Sequence, residues 1–210
     1  MKVFNVLISG VGGQGLLTLS RILGQAALSK GFKAYIAETH GMSQRGGSVL
    51  VFLRIGDDVM APLPPEDDVN LHISMELIEA VRYSTMHNER TVAVVNNKVI
   101  RPSLPSVRMP SVNEMLDALE KSTRNLYVTN ASDTSLRLGS TIGANIVMLG
   151  FVTCLLDKSS ILSKDLVMGE VLKLGARELN ARLFEAGYRD AADKVTQETL
   201  DYLISVMKKR

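Results

Sequence analysis

The chain of 210 residues is long enough to bury one full hydrophobic core. Hydrophobic residues make up 46% of it and charged residues 22%, which is the balance of a globular domain. The formal net charge of +2 and the low aromatic content of 5% argue against a nucleic-acid-binding surface, which needs clustered cations and stacking rings. We therefore expect a single domain over residues 1–210 that binds no nucleic acid.

Cys154 is the only cysteine of the sequence, so no disulfide forms within the chain. This suits a reducing cytoplasm, and one thiolate cannot hold an iron–sulfur cluster or a structural zinc ion. The apolar run 142–156 around Cys154 is too short to span a bilayer and contains polar residues, so it predicts a buried helix. The apolar N-terminus runs into glycines instead of a cleavage site. We expect a cytoplasmic protein that does not contact membranes.

Six apolar or β-branched runs indicate strands. They are 2–9, 32–37, 48–55, 69–73, 91–95 and 126–129. Between the first two lie a glycine cluster and apolar residues at helical spacing, the arrangement that opens a parallel α/β sheet. Continuous apolar character in the central runs indicates strands that are covered on both faces.

The segments between these runs carry helix and loop signals. Clustered prolines in 61–68 exclude both helix and central strand, whereas 75–83 has helical spacing. Ser111-Val112-Asn113-Glu114 has the spacing of a capping box, and the chain beyond Ser140 is helical, with breaks expected at Gly175 and Gly187. The sequence therefore predicts an α/β fold: a Rossmann-like layered sheet, mostly parallel, with a helical C-terminal part.

The first motif with chemical content is a G-x-G-x-x-G sequence between the first strand and the first helix. Its residues are Gly10, Val11, Gly12, Gly13, Gln14 and Gly15. Glycines allow positive φ and let backbone N–H groups approach an anion at a helix N-terminus. Glu38 follows 23 residues after Gly15, where a dinucleotide would offer its ribose hydroxyls. Three interpretations remain open: a dinucleotide site, a site for another phosphate ligand, or a tight turn without a ligand.

A second glycine-containing loop follows the second strand, so it should emerge at the same sheet edge as the first loop. It runs from Thr39 to Gly47, and its candidate ligand-binding residues are His40, Gln44, Arg45, Gly46 and Gly47. Arginine pairs bidentately with phosphate or carboxylate, and histidine titrates near neutral pH. A surface loop with an incidental arginine and histidine is the alternative.

Three polar residues lie in apolar surroundings. We expect structural roles for His72, in an apolar strand, and for His87, near a helix end. Asn145 in the buried run must find a hydrogen-bond partner, and it either holds a loop in place or faces a subunit interface.

The two loops together resemble the gamma-type subunit or domain of the 2-oxoacid:ferredoxin oxidoreductases. The resemblance lies in G-V-G-G-Q-G-L at 10–16 and E-T-H-G-M-S-Q-R-G-G-S-V at 38–49. The H-G-M-S-Q-R-G-G form is similar to the beta subunit of the branch acting on indolepyruvate, whereas the pyruvate and 2-oxoglutarate branches usually carry an E-A-R-G-G-type sequence. The resemblance extends to 180–188 and covers essentially the whole chain.

The resemblance implies oxidative decarboxylation of arylpyruvates to aryl-acetyl-coenzyme A with reduction of ferredoxin. Thiamine diphosphate, Mg and iron–sulfur clusters would lie in a large catalytic alpha subunit, because this chain lacks the cysteines and a convincing thiamine motif. Gly56-Asp57-Asp58 and Asn96-Asn97 imitate that motif, but the third residue is wrong and the separation of 39 positions is too long. This chain would contribute no catalytic residue, and coenzyme A would be a shared ligand of its glycine loops.

Two rival functions follow from the same residues. The G-x-G-x-x-G motif and Glu38 favour a stand-alone NAD(P)- or FAD-binding oxidoreductase of Rossmann type. Alternatively, the loops only hold the partner subunit, and the chain is a scaffold. The stoichiometry of the complex and the range of arylpyruvates accepted do not follow from the sequence.

Overall fold

A computed structural model describes residues 3–40, 47–65, 67–101 and 109–208 of the chain. The described residues form one six-stranded sheet with helices on both faces. The strands are β1 (Phe4–Val11), β2 (Lys33–His40), β3 (Ser48–Gly56), β4 (Leu71–Ser74), β5 (Val92–Asn96) and β6 (Asn125–Thr129). All six predicted strands are therefore present, with ends shifted by a few residues.

Eight α-helices connect the strands and complete the chain within the described residues. They are α1 (Leu16–Ser29), α2 (Leu77–Tyr83), α3 (Val112–Ser122), α4 (Ala131–Arg137), α5 (Ala144–Lys158), α6 (Lys164–Val171), α7 (Arg177–Lys194) and α8 (Gln197–Lys208). A short 3-10 helix at Ser84–Met86 follows α2. The predicted capping box is confirmed: the Ser111 hydroxyl accepts the Glu114 N–H, and the Glu114 carboxylate accepts the Ser111 N–H.

The order of strands in the sheet is β2-β3-β1-β4-β5-β6. Strands β1, β4, β5 and β6 pair in parallel, whereas β3 is antiparallel to both β1 and β2. The predicted fold class is confirmed. The expectation that the first two strands open a parallel sheet is wrong in one respect, because β3 turns back and lies between β1 and β2.

The alternation of side chains along β1 explains the layers of the fold. Phe4, Val6 and Ile8 face the main core, which contains residues of α1, α5, α6, α7 and α8. Leu7 faces the opposite side, where α2, the 3-10 helix and α3 cover the sheet. The central strands β1, β4 and β5 are thus buried on both faces, as the continuous apolar character of the central runs predicts, whereas the edge strand β2 is partly exposed.

The helical C-terminal part packs most tightly where α5 and α7 cross at two glycines. A Cβ at Gly187 would lie 1.9 Å from the Val147 carbonyl oxygen, and a Cβ at Gly150 would lie 2.0 Å from that of Phe184. The predicted break at Gly187 is therefore wrong: this glycine lies inside α7, where it lets two backbones touch. Cys154 is fully buried in α5, as expected.

The predicted irregular segment after β3 forms neither helix nor strand in its described part, and Arg54 holds it in place. The buried Arg54 side chain donates to the Ala61 and Leu63 carbonyls at 2.7 and 2.8 Å and to Asn5 Oδ1 at 2.8 Å. Asn5 in turn donates to the carboxylate of Asp68 at 2.9 Å. The excursion is therefore anchored to the first and third strands by buried polar groups.

Candidate functional site

The glycine motif lies at the carboxyl edge of the sheet, where open α/β sheets bind their ligands. Gly10 belongs to β1, Gly12 and Gly13 form the turn, and Gly15 caps α1. Gly13 and Gly15 have φ of 99° and 77°, a backbone conformation that favours glycine. A Cβ at Gly13 would meet no atom within 4 Å, so the turn is open to solvent above this residue.

Gln14 braces the turn from within. Its Oε1 accepts the Val11 N–H at 2.7 Å, and its Nε2 donates to the Met75 carbonyl at 3.2 Å. Both polar ends of the side chain therefore serve the loop itself. Gln14 fixes the shape of the glycine turn against the end of β4, so its place near a ligand comes through the backbone that it positions.

The N-termini of α1 and α5 meet at this edge. Asn145, the second residue of α5, donates from Nδ2 to the Gly15 carbonyl at 3.4 Å, and a Cβ at Gly15 would lie 2.3 Å from the same nitrogen. Of the two open roles of Asn145, the structure shows that it holds the glycine loop. Within the described residues the N-cap positions of both helices are glycines without a capping side chain, and neither first turn contains an acidic residue; one N–H of α5, that of Ile146, donates to Asn145 Oδ1 at 3.0 Å. Their N–H groups and positive dipole ends therefore suit an anion.

The second glycine loop meets the first at Gly47, directly before β3. The Gly12 N–H donates to the Gly47 carbonyl at 2.9 Å, which places both glycine loops side by side, as the sequence predicts. Ser48, the first residue of β3, donates to the carboxylate of Glu79 and lies 2.9 Å from the Tyr83 hydroxyl. Glu79 is nearly buried and also accepts from Arg82 Nε at 3.1 Å. The start of β3 is thus tied to α2.

The remaining predicted residues of this loop are placed only in part. His40 is the last residue of β2, and its backbone pairs with Val49. Gln44, Arg45 and Gly46 lie outside the described residues. The end of β2 and the start of β3 are neighbours at this edge of the sheet, and the start of β3 lies beside the glycine turn at the end of β1.

Glu38 does not occupy the position that a dinucleotide-binding fold requires. In that fold the acidic residue follows a strand next to β1 and reaches the ribose. Here β3 separates β2 from β1, so Glu38 lies two strand spacings away, roughly 10 Å, in the edge strand. The G-x-G-x-x-G motif thus stands in a sheet order different from the dinucleotide-binding one.

The residues that imitate a thiamine diphosphate motif are far apart. Asp57 follows the end of β3, at the amino edge of the sheet, because β3 is antiparallel to β1. Asn96 ends β5 at the opposite edge, and its side chain is used by the Met75 carbonyl and by Ser132. Across residues 3–40, 47–65, 67–101 and 109–208, no group of three His, Cys, Asp or Glu side chains is arranged to hold a metal ion. Gly56-Asp57-Asp58 and Asn96-Asn97 therefore do not form one site.

Two buried residues beneath the loops have structural roles that no sequence pattern indicated. Glu76 is fully buried and caps α2 by accepting the N–H groups of Ile78, at 3.0 Å, and of Glu79. Burial raises the pKa of Glu76, against the effect of these N–H groups. Asn96 holds the end of β4 to α4 through Met75 and Ser132. A glutamate cap lies outside the usual Ser, Thr, Asp and Asn preference, and a strand-ending asparagine has no spacing signal.

None of the helices that the structure describes is both long and apolar enough to cross a membrane. The apolar run around Cys154 lies mostly within α5.

Comparison with known proteins gives matches over most of the chain. Residues 5–189 match the family described as pyruvate ferredoxin/flavodoxin oxidoreductase. Indolepyruvate oxidoreductase subunit IorB of Archaeoglobus fulgidus is 37% identical over 191 residues, which cover 89% of this chain and 94% of the relative. The IorB subunit of Pyrococcus horikoshii is 34% identical over 201 residues, or 92% of this chain and 98% of the relative.

More distant matches bear on the branch and the fold. The common gamma subunit of the pyruvate/ketoisovalerate oxidoreductases of Pyrococcus furiosus is 27% identical over 182 residues, or 83% of this chain and 92% of the relative. The crystal structure of the gamma subunit of a keto/oxoacid ferredoxin oxidoreductase from Geobacter sulfurreducens superposes with a TM-score of 0.67 at 23% identity, and the match covers 90% of this chain and 99% of that one. The sheet, the paired glycine loops and these matches agree, and the chain belongs to the pyruvate ferredoxin/flavodoxin oxidoreductase family.

Proposed function

We propose that this chain is the small subunit of an indolepyruvate, or more broadly arylpyruvate, ferredoxin oxidoreductase. The complex converts an arylpyruvate, coenzyme A and oxidised ferredoxin to aryl-acetyl-coenzyme A, carbon dioxide and reduced ferredoxin. The observation that carries the proposal is the full-length likeness to indolepyruvate subunits at 37% and 34% identity, against 27% for a pyruvate/ketoisovalerate subunit. The H-G-M-S-Q-R-G-G sequence at 40–47 supports the same branch.

The chemical step belongs to a larger partner subunit. Thiamine diphosphate, Mg and iron–sulfur clusters need ligand sets that do not fit the described part of this chain, whose one cysteine is buried in α5. Burial raises the pKa of the Cys154 thiol, which keeps it protonated and a poor ligand. The complex works in the cytoplasm, because reducing conditions there suit a chain with a single thiol and no disulfide.

The role of this chain is to present an anion-receiving surface beside the partner's thiamine site. Three features support it: the open turn at Gly13, the uncapped N-termini of α1 and α5, and the hydrogen bond that sets Gly47 beside Gly12. Coenzyme A, with its phosphates, is the natural ligand of such a surface. Arg45 is the leading charge, with His40, Gln44 and Gly46 as its neighbours in the loop.

Replacement of Arg45 in the assembled complex tests this role. Loss of one charge-assisted contact to a phosphate costs about 1.5–3 kcal/mol, which is roughly ten- to a hundredfold in the KM for coenzyme A. Arg45→Lys keeps the charge but loses the planar fork, so we expect it to recover only part of the loss. The KM for indolepyruvate serves as the internal control.

The affinity between the subunits, measured on the same variants, separates ligand binding from scaffolding. We expect Arg45→Ala to assemble normally. If it weakens assembly while the intact complex keeps its coenzyme A kinetics, the loop is an interface element and the chain is a scaffold.

A further inference from the structure

A chain of largely buried hydrogen bonds runs along the face of the sheet that α2 and α3 cover, beneath the glycine loop, and its centre is a pair of histidines. His72 Nδ1 lies 2.7 Å from His87 Nε2, and His72 Nε2 lies 2.8 Å from the Ser9 hydroxyl. His87 Nδ1 lies 3.0 Å from the Ser122 hydroxyl, and Ser9 lies 2.8 Å from Ser74. Ser9, His72 and Ser74 are fully buried, His87 is 9% exposed and Ser122 is half-buried, so the chain meets solvent at its end formed by His87 and Ser122.

Both ends of the chain are fixed by backbone carbonyls, which only accept. Ser122 donates to the Leu119 carbonyl at 2.7 Å, and Ser74 donates to the Glu76 carbonyl at 2.8 Å. The series therefore has six hydrogen bonds. Each hydroxyl and each neutral imidazole carries one proton, so the three serines and two histidines supply five. One hydrogen bond lacks a proton while both imidazoles are neutral.

We propose that His72 and His87 form a single proton-binding unit, in which one proton taken from solvent near His87 completes the six hydrogen bonds. A second proton has no place, because seven protons would serve six hydrogen bonds and two imidazolium cations would touch at 2.7 Å. Toward the glycine loop the chain of hydrogen bonds passes through Ser9, directly before Gly10, and ends at Ser74, directly before Met75, whose carbonyl accepts from Gln14. Its protonation is therefore coupled to the strand ends that carry the glycine loop.

The described hydrogen bonds of His72 and His87 go to each other and to serine hydroxyls, not to carboxylates, lysines or arginines. Several ionisable side chains of the covering elements contact other groups: Glu76 accepts from Ile78, Glu79 contacts Ser48 and Arg82, Tyr83 contacts Ser48, Glu89 pairs with Arg124, and Glu114 accepts from Ser111. Asp117, Glu120 and Lys121 of α3 are exposed. On β1 and α3 the hydrogen-bond partners of the pair are uncharged: the Ser9 hydroxyl contacts His72, and the Ser122 hydroxyl contacts His87.

The direction of the titration follows from burial. Burial holds the pKa of His72 well below its usual range, with a further lowering by His87, and burial lowers the pKa of His87 to about 4. An unfolded chain takes up these protons near pH 6.5. The contribution of the pair to folding is thus complete above about pH 6.5 and is lost as the pH falls toward the folded-state pKa. We expect the two histidines to titrate together, as one proton per pair.

The test is the tautomer of each histidine near neutral pH, read from the imidazole nitrogen shifts of the full chain labelled at histidine. Ser122→Ala leaves four hydrogen bonds for four protons, and both His72 and His87 must then carry their proton on Nε2. Ser74→Ala also leaves four for four, but both must then carry it on Nδ1. Ser20→Ala is the control, because Ser20 makes the same bond to a carbonyl three residues earlier, at 3.0 Å, without touching a histidine.

We expect opposite tautomers in the two serine variants and no change in Ser20→Ala. On acidification, Ser122→Ala should move the shared midpoint down by about one pH unit, the equivalent of one hydrogen bond. His40, the third histidine, is the internal reference. The same tautomers in both variants, or separate midpoints for His72 and His87 in the unaltered chain, would overturn the proposal. If one serine variant fails to fold, the tautomers in the other variant are compared with those predicted for it, and a mismatch overturns the proposal.

Discussion

The crossing of α5 and α7 makes the sharpest stability prediction, through Gly187→Ala. The added Cβ would lie 1.9 Å from the Val147 carbonyl oxygen and 3.0 Å from the Phe151 nitrogen. Both are backbone atoms, so no side-chain rotation relieves the contact. Since an ordinary contact begins near 3.4 Å, the two helices must separate locally by about 1.5 Å, the difference between 3.4 and 1.9 Å.

Overpacking of a core costs about 1–3 kcal/mol and sometimes more, and displacement of two buried helices falls at the upper end. We expect Gly187→Ala to lower the free energy of unfolding by about 3–5 kcal/mol. Gly169→Ala is the matched control, since Gly169 lies within α6 and its Cβ would meet nothing within 4 Å. That change should stabilise the chain by about 0.5–1 kcal/mol, through helix propensity and a less flexible unfolded chain.

Urea denaturation followed by circular dichroism measures both variants. With a slope near 2 kcal/mol per molar urea, Gly187→Ala should lower the midpoint by about 1.5–2.5 M, while Gly169→Ala should leave it unchanged or raise it slightly. Midpoints of the two variants within about 0.5 M of each other would show that α5 and α7 do not touch at this glycine.

Three further changes test the loops and the excursion. Gly15→Ala should destabilise the chain more than Gly13→Ala in the same denaturation assay, because both require positive φ but only the first meets Asn145; equal losses would contradict the contact. Arg54→Met removes the donors that hold the excursion, so we expect a loss of about 2–3 kcal/mol and faster proteolysis between residues 57 and 65; unchanged proteolysis would contradict the anchor. Calorimetry should show no saturable binding of NAD or NADP below about 1 mM by the isolated chain, since β3 separates Glu38 from the glycine loop; micromolar affinity lost in Glu38→Ala would contradict this.

The strands could be predicted from the sequence because each contains an apolar or β-branched run, and the capping box because its spacing is specific. The position of β3 could not, because strand order depends on long-range pairing that no local pattern records. Glu38 shows the consequence: its spacing from Gly15 fits a dinucleotide fold, but the intervening strand moves it away from the site. Gly187 is the opposite case. The sequence pattern predicts a helix break at this glycine, but a close crossing of two helices also requires glycine.

The sequence could predict those parts of the site that depend on the backbone of the two glycine loops. The pairing of Gly12 with Gly47 follows from two strands that end at one edge, and the expected hydrogen-bond partner of Asn145 is the Gly15 carbonyl. The ligand-binding role of Gln14 stays a prediction; in the structure its side chain accepts the Val11 N–H within the loop and donates to the Met75 carbonyl beside β4. Contacts such as His72 with His87 join residues 15 positions apart on different elements, and no sequence spacing indicates them.

Reconstitution tests the central claim most directly. The purified chain is assayed with indolepyruvate, coenzyme A and an artificial electron acceptor, first alone and then with the larger subunit that copurifies with it from the native source. We expect a colourless chain without turnover, and coenzyme A-dependent turnover only when the larger, cluster-bearing subunit is added. Turnover by the 210-residue chain alone, or a larger subunit that is fully active without it, would contradict the assignment.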